Sequence, residues 1–600
     1  MSSLVLGLAI LAGVALPVHG AAPYCLPGDD CFPSDDAITK FNETVGGNLI
    51  KTVPYGAACY SASYNAGECA SLAAEKSDSD YRLELACKMP VTIHFITKLL
   101  NYKRRAKLVA EILSLAGVMY TNFEQYGTIG CPVPDSNTNG SAPAAIEGEC
   151  TIGNMPSYVV NATSVDDVAA AVKFAAEYNL RLRIKNTGHD YSGRSSGAGS
   201  LSIWTHHMDD TEGVPDFLPA GCDLNSSYAL SAGPGVDVEA LNIWAGENGR
   251  VTIGGTTATV GAMGGYILGG GLGPLATHFG MGVDNALQFQ VVTADGSIKI
   301  ANECTNEDLF WALRGGGGTF GVTTRVWIKT YPALAAVNVV AGAIGCESRA
   351  SYEQLITNLI DAQQQLRDLG HAGLWSCSGD DLGYSIMSLV AYQDEESVAS
   401  AKVSLGDFDD INNVTGCTPQ FTAEQFAGSS SYNDAYQGLI WPAVDSGTPV
   451  GINLQVFSRL ISFETMDNNL QSIKDYILAL PSSIPIIWQN HVGGVTQDIA
   501  GDATSVHPDW RNAFAFIDTS NFGSWSGPTA EQNETSEAIV ANMTTTFGTA
   551  AYYNEAYGYE ENWQESYFGS NYDRLLEIKN AVDPDGVFSC RMCVGSEGGF

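Results

Sequence analysis

"LRLRIKNTGHDYSGRSSGAG", residues 180–199, decides the fold. Apolar and basic residues alternate over 180–184 and predict a strand, and the small residues that follow predict a loop around His189. Upstream, "SYVVNA" reads as a second strand and "SVDDVAAAVKFAAEYN" as a helix. Ser164 supplies the helix N-cap, Asp167 the third helical position, and Val168, Val172 and Ala175 one apolar face. Strand, helix and strand in about thirty residues make a βαβ unit. Ligands bind in the loops at the carboxyl ends of such strands, which is where His189 stands.

Outward from this unit the chain is rich in glycine. Residues 264–273 hold six glycines in ten positions, and residues 315–318 are four glycines in succession. Backbone N–H groups unencumbered by side chains can converge on an anion, so these loops point to a large flat or phosphorylated ligand. Gly316, Gly318 and Gly321 form GxGxxG, but a helix-like stretch precedes them and a strand follows, the reverse of a nicotinamide-binding Rossmann turn. No Gly-Lys-Ser/Thr follows either run, so a P-loop is excluded.

With 29 Lys and Arg against 66 Asp and Glu, the net charge is −37, which argues against nucleic acid and anionic membranes as partners. The apolar run over 4–16 ends in small residues and predicts a signal peptide over 1–20. Secretion would turn most of the fourteen cysteines toward disulfides, with Cys25/Cys31, Cys59/Cys69, Cys131/Cys150 and Cys590/Cys593 as local candidates. Seven Asn-X-Ser/Thr sequons, at Asn42, Asn139, Asn161, Asn225, Asn413, Asn533 and Asn542, accord with a glycosylated, exported protein. No metal is expected: Cys590 and Cys593 lack a second ligand pair, and adjacent His206 and His207 on a strand would face opposite ways.

Residues 21–150 read as a disulfide-rich extension. Within it, residues 81–116 carry seven basic and only two acidic residues. Two readings stand for this segment: a basic amphipathic helix for membrane or partner contact, or a retained intron or misjoined exon. Residues 334–548 alternate strand-like and helix-like segments, and residues 549–600 add a helix stopped by Asp-Pro-Asp-Gly.

Four stretches carry a resemblance: residues 184–208, 264–296, 308–322 and 571–588. In that order they resemble the berberine-bridge-enzyme-like branch of the vanillyl alcohol oxidase flavoproteins, and within it fungal secreted members labelled isoamyl alcohol oxidases. The resemblance implies an α+β fold: a bipartite FAD-binding domain over 151–333, and a substrate domain over 334–548 whose antiparallel sheet is backed by helices. Residues 549–600 would return to the FAD domain.

It further implies FAD bound covalently through His189. The cofactor would rest on Asn186, Thr187, Gly188, Asp190, Tyr191, Ser192 and Gly193, on Thr257, Thr259, Val260, Gly261, Gly264, Gly265, Gly269, Gly270 and Gly271, and on Gly321 and Val322. Thr257 falls where many relatives carry a second flavin-linking cysteine, so a single link is expected. The partners would be a small-molecule substrate and O2, acting on a monomer.

For the proton acceptor, strand-like alternation in "GTAAYYNEAYGYE", residues 548–560, places Tyr552 and Asn554 on one face and Tyr553 and Glu555 on the other. Tyr552 is the expected acceptor and Asn554 its orienting partner, with Glu555 the rival. The expected function is a secreted oxidase acting on a CH–OH or similar group. The alternatives are a secondary-metabolite tailoring oxidase or dehydrogenase, and a flavin-free carbohydrate-binding glycoprotein.

Overall fold

The computed structural model describes residues 24–75, 131, 133–134, 142–223, 226–378, 382–394, 405–442, 453–481, 483–523 and 529–597. The signal segment 1–20, the basic segment 81–116 and the sequons at Asn139 and Asn225 lie outside them.

The βαβ unit is present. Strands β2 (Tyr158–Asn161), β3 (Leu182–Lys185) and β4 (Leu201–Trp204) are parallel in the order β2-β4-β3. The crossover helix Val165–Glu177 starts as expected: Ser164 Oγ accepts from Asp167 N and Asp167 Oδ2 accepts from Ser164 N. The N-terminal extension packs onto this unit. Its strand β1 (Leu49–Lys51) pairs antiparallel with β2, and Phe41 stacks on Phe174 of the crossover helix with centroids 4.0 Å apart.

The second half of the FAD-type domain is a five-stranded antiparallel sheet in the order β5-β6-β10-β8-β9. Its strands are β5 (Thr211–Phe217), β6 (Ser227–Ala232), β8 (Ala286–Val292), β9 (Ile298–Ala301) and β10 (Val322–Lys329). A short pair, β7 (Arg250–Val251) with β11 (Tyr331–Pro332), ties its flank.

A seven-stranded antiparallel sheet follows, ordered β15-β12-β14-β13-β17-β18-β16. Its members are β12 (Ala336–Cys346), β13 (Ala372–Ser378), β14 (Gly383–Tyr392), β15 (Cys417–Ala427), β16 (Asn453–Ser462), β17 (Ile486–Gln489) and β18 (Ala513–Gly523). Helices Arg349–Asp361, Phe463–Ala479 and Ala530–Phe547 cover one face, joining a core that includes Trp375, Phe457, Trp488 and Ile517. The other face borders a cavity.

All four local cysteine pairs form disulfides. Cys222–Cys304 and Cys346–Cys417 add two cross-links between distant segments. The sequon at Asn161 is buried, its Oδ1 bonded to His207 Nδ1 at 2.6 Å, so it is a chance match. His206 and His207 lie past the end of β4 rather than on it, and no metal-ligand cluster occurs among the described residues.

The C-terminal helix Tyr572–Val582 returns to the FAD-type domain through a buried cation. Lys579 Nζ donates to the carbonyls of Thr319 at 2.9 Å and Phe588 at 2.6 Å, and pairs with Asp583. Burial lowers the Lys579 pKa, and Asp583 opposes that shift. Lys579→Met leaves a buried carboxylate uncompensated, and the expected cost is about 3–5 kcal/mol, read as a fall in denaturant midpoint. An unchanged midpoint would show that the tail is held otherwise.

Candidate active site

A cavity of about 740 Å³ lies between the FAD-type domain and the open face of the seven-stranded sheet. Period-two alternation decides what the sheet presents to it: Leu374 and Ser376 from β13, Ile487 and Gln489 from β17, Asp518 and Ser520 from β18. On the opposite wall, the loop after β3 contributes Asn186, Thr187, Gly188, His189, Asp190 and Tyr191. Gly188 has φ of +91°, a backbone conformation that favours glycine.

His189 Nε2 lies 2.7 Å from Thr259 Oγ1. Burial pushes its pKa down to about 3, so the ring is neutral at physiological pH. Thr257, Val260, Gly261, Gly264, Gly265 and Gly321 also line the cavity. Four expected contacts do something else. Ser192 and Gly193 belong to the loop's own turn, with Ser192 Oγ donating to the Ala556 carbonyl at 3.2 Å and Gly193 N to the Asp190 carbonyl at 3.3 Å. Thr259 reaches the site only through His189, and Val322 opens β10 in the core at 1% exposure.

Gly269, Gly270 and Gly271 seat the residues expected to handle the proton. A Cβ on Gly269 would fall 2.0 Å from Asn554 Oδ1, and one on Gly270 3.1 Å from the Tyr552 ring. Gly271 N donates to Tyr552 Oη at 3.1 Å, and Asn554 Nδ2 donates to the same oxygen at 2.9 Å. The expected strand is absent there, because Tyr553–Glu555 forms a 3-10 turn. Tyr552 and Asn554 nonetheless meet. Glu555 lines the same cavity, while the Tyr553 ring lies under the Arg194 guanidinium, 4.0 Å from ring centroid to Cζ.

Three acidic groups face one another here. Burial raises the Tyr552 phenol, with the Glu555 charge adding to the rise and the two N–H donors opposing it. Burial, then the Asp518 charge, pushes Glu555 well above the carboxylate range. Asp518, 5% exposed, is pushed up to about 7 by burial although Gln489 Nε2 donates to it at 2.7 Å. Asp518 escaped the sequence reading. Its signal was a single acid directly after the apolar run 513–517, legible only once the inward face of β18 is known.

Two family models match the chain: "FAD binding domain" over residues 156–302 and "Berberine and berberine like" over 551–594. FAD-linked oxidoreductase ZEB1 of Gibberella zeae is 32% identical over 96% of this chain and 92% of that protein. VAO-type flavoprotein oxidase VAO615 of Thermothelomyces thermophilus is 30% identical over 98% and 96%. This chain belongs to the berberine-bridge-enzyme-like vanillyl alcohol oxidase family. The solved VAO-type flavoprotein MtVAO713 from Myceliophthora thermophila C1 shares its fold with a TM-score of 0.80 at 26% identity, over 96% of this chain and 98% of that one.

A berberine-bridge-like enzyme is an FAD-linked oxidoreductase, and the cavity fits that cofactor. Gly265 and Gly318 line it, and a Cβ on either would meet nothing within 4 Å, so bare backbone borders open space. Gly261 and Gly264 leave no room for one, since it would lie 2.4 Å and 2.2 Å from Asn186 Nδ2. Buried Asn186 Oδ1, Ser195 Oγ, Thr323 Oγ1 and His491 Nε2 have no hydrogen-bond partner, and all four residues line the cavity. Orphaned polar atoms around one space call for a polar ligand. The family match also removes the flavin-free alternative.

Proposed function

We propose that this enzyme is an exported, monomeric oxidase that converts a CH–OH group of a small molecule to a carbonyl, with its flavin linked once, through His189. One observation carries the reading: a single cavity holds a neutral, hydroxyl-bonded His189 on one wall and Tyr552, Glu555 and Asp518 across from it. Bound FAD supplies the hydride acceptor, and O2 takes the electron pair with two protons to give H2O2.

The protein's part is to bind, orient and deprotonate. Tyr552 Oη receives two N–H donors and keeps its own proton for a substrate oxygen, because burial holds the phenol neutral. Asp518 is the better matched acceptor, since its pKa of about 7 lies near working pH. It takes the hydroxyl proton as the C–H hydride leaves. Thr257 on the cavity wall is a poor nucleophile, which supports a single link.

The six disulfides among the described residues support export, as do the exposed sequons at Asn413 and Asn542. Among the described residues, no helix is long and apolar enough to cross a membrane. The test is a peroxide-coupled screen of alcohols, sugars and phenols with the purified yellow protein. The expected result is H2O2 formed mole for mole with O2 consumed. A flavin that substrate reduces and only an artificial acceptor reoxidises would make the enzyme a dehydrogenase.

A further inference from the structure

Arg194 stands five residues after His189, in a chain with only 29 basic residues. Its Nε donates to Asp190 Oδ1 at 2.8 Å, and its Nη2 lies 2.7 Å from the same oxygen. Nη2 also donates to the Tyr553 carbonyl at 3.1 Å, and the guanidinium stacks on the Tyr553 ring. Both charged side chains are largely buried, at 12% and 17% exposure. Asp190 is the chain neighbour of His189, and Tyr553 that of Tyr552.

A second tie runs parallel to the first. Ser192 Oγ donates to the carbonyl of Ala556, so side chains of the His189 loop cap the carbonyls at both ends of the segment 553–556. On its far side Tyr553 fits where Gly317 has no side chain, since a Cβ there would lie 2.4 Å from Tyr553 Oη. The turn is therefore gripped from the loop and seated from behind.

We propose that Arg194 is a positioning residue that fixes the His189 loop against the Tyr552–Asn554–Glu555 turn, so that flavin attachment and proton transfer share one geometric reference. The proposal rests on the reading that His189 carries the flavin. A planar fork does this where an ammonium cannot: it spans a carboxylate and a carbonyl while lying flat on a ring. Removing it leaves the Tyr553 carbonyl and the Asp190 carboxylate without that partner, and the two chain segments keep the Ser192–Ala556 tie but lose the stacked, forked one.

The experiment compares wild type, Arg194→Met, Arg194→Lys and His189→Ala as full-length proteins produced under riboflavin limitation and then given FAD. Acid-stable flavin is followed over time by in-gel fluorescence, and flavin reduction by substrate is followed without oxygen across pH. Arg194→Met is expected to slow attachment at least about tenfold and to shift the pH profile of reduction, since small misplacements cost rate steeply. Arg194→Lys, which keeps the charge without the fork, is expected to fall between it and wild type.

If Arg194→Met does not fold, Arg194→Lys decides. Wild-type attachment and a wild-type pH profile in either folded variant overturn the proposal. If wild type itself holds no acid-stable flavin, the His189 reading fails separately, and the pH profile alone then judges Arg194: a shift supports its role and no shift overturns it.

Discussion

Asp518→Asn is expected to slow reduction of the flavin by substrate about 10²–10⁴-fold in the absence of oxygen, the usual loss when a positioned base is removed. The amide is nearly isosteric and can keep its contact with Gln489, so the flavin spectrum should be unchanged. In the unaltered enzyme the rate should rise with pH through about 7, because Asp518 accepts a proton only when ionised. In Asp518→Asn that rise should vanish. Stability moves the other way: the folded-state pKa exceeds that of a free carboxylate, so stability is lost as pH climbs through about 7. Tyr552→Phe is the control. If Asp518→Asn reduces its flavin within a few-fold of normal while Tyr552→Phe does not, the tyrosine is the acceptor.

His189→Ala is expected to abolish acid-stable flavin altogether. Denatured wild-type protein should fluoresce on a gel after acid treatment, while the variant should release its flavin to the supernatant. Among the described residues on this wall the His189 imidazole is the best-suited nucleophile, since Thr257 offers a hydroxyl and Cys590 is held in a disulfide; His491 is the other imidazole lining the cavity. Flavin that stays attached after His189→Ala would move the link to another residue. Thr259→Val should retain the link but form it more slowly, because the ring would lose its 2.7 Å hydroxyl partner.

The βαβ unit and the loop of His189 were legible because their signals are local: an N-cap, an apolar face, a strand running into small residues. The proton-handling side was not. Alternation brought Tyr552 and Asn554 together by an incorrect route, since the backbone turns where Arg194, 359 residues away, takes the Tyr553 carbonyl. The resemblance assigned Gly269, Gly270 and Gly271 to the cofactor, and the missing side chains of the first two also make room for Asn554 and Tyr552, that of the third for Tyr266. Asp518 became visible only with the sheet assembled. The three residues of β1 are too few to show a period, so the extension's pairing with β2 was not legible.

That short strand governs where the protein can be divided. A chain cut to begin at Pro156, where the matched flavin-binding segment starts, would lack β1 and the Phe41 ring. The outer N–H and C=O groups of β2 would become a bare edge beside an uncovered Phe174. Such an edge recruits the nearest extended chain, and in concentrated solution that is another copy. The fragment is expected to self-associate more than the full chain does, which size-exclusion chromatography of the two at equal concentration would show.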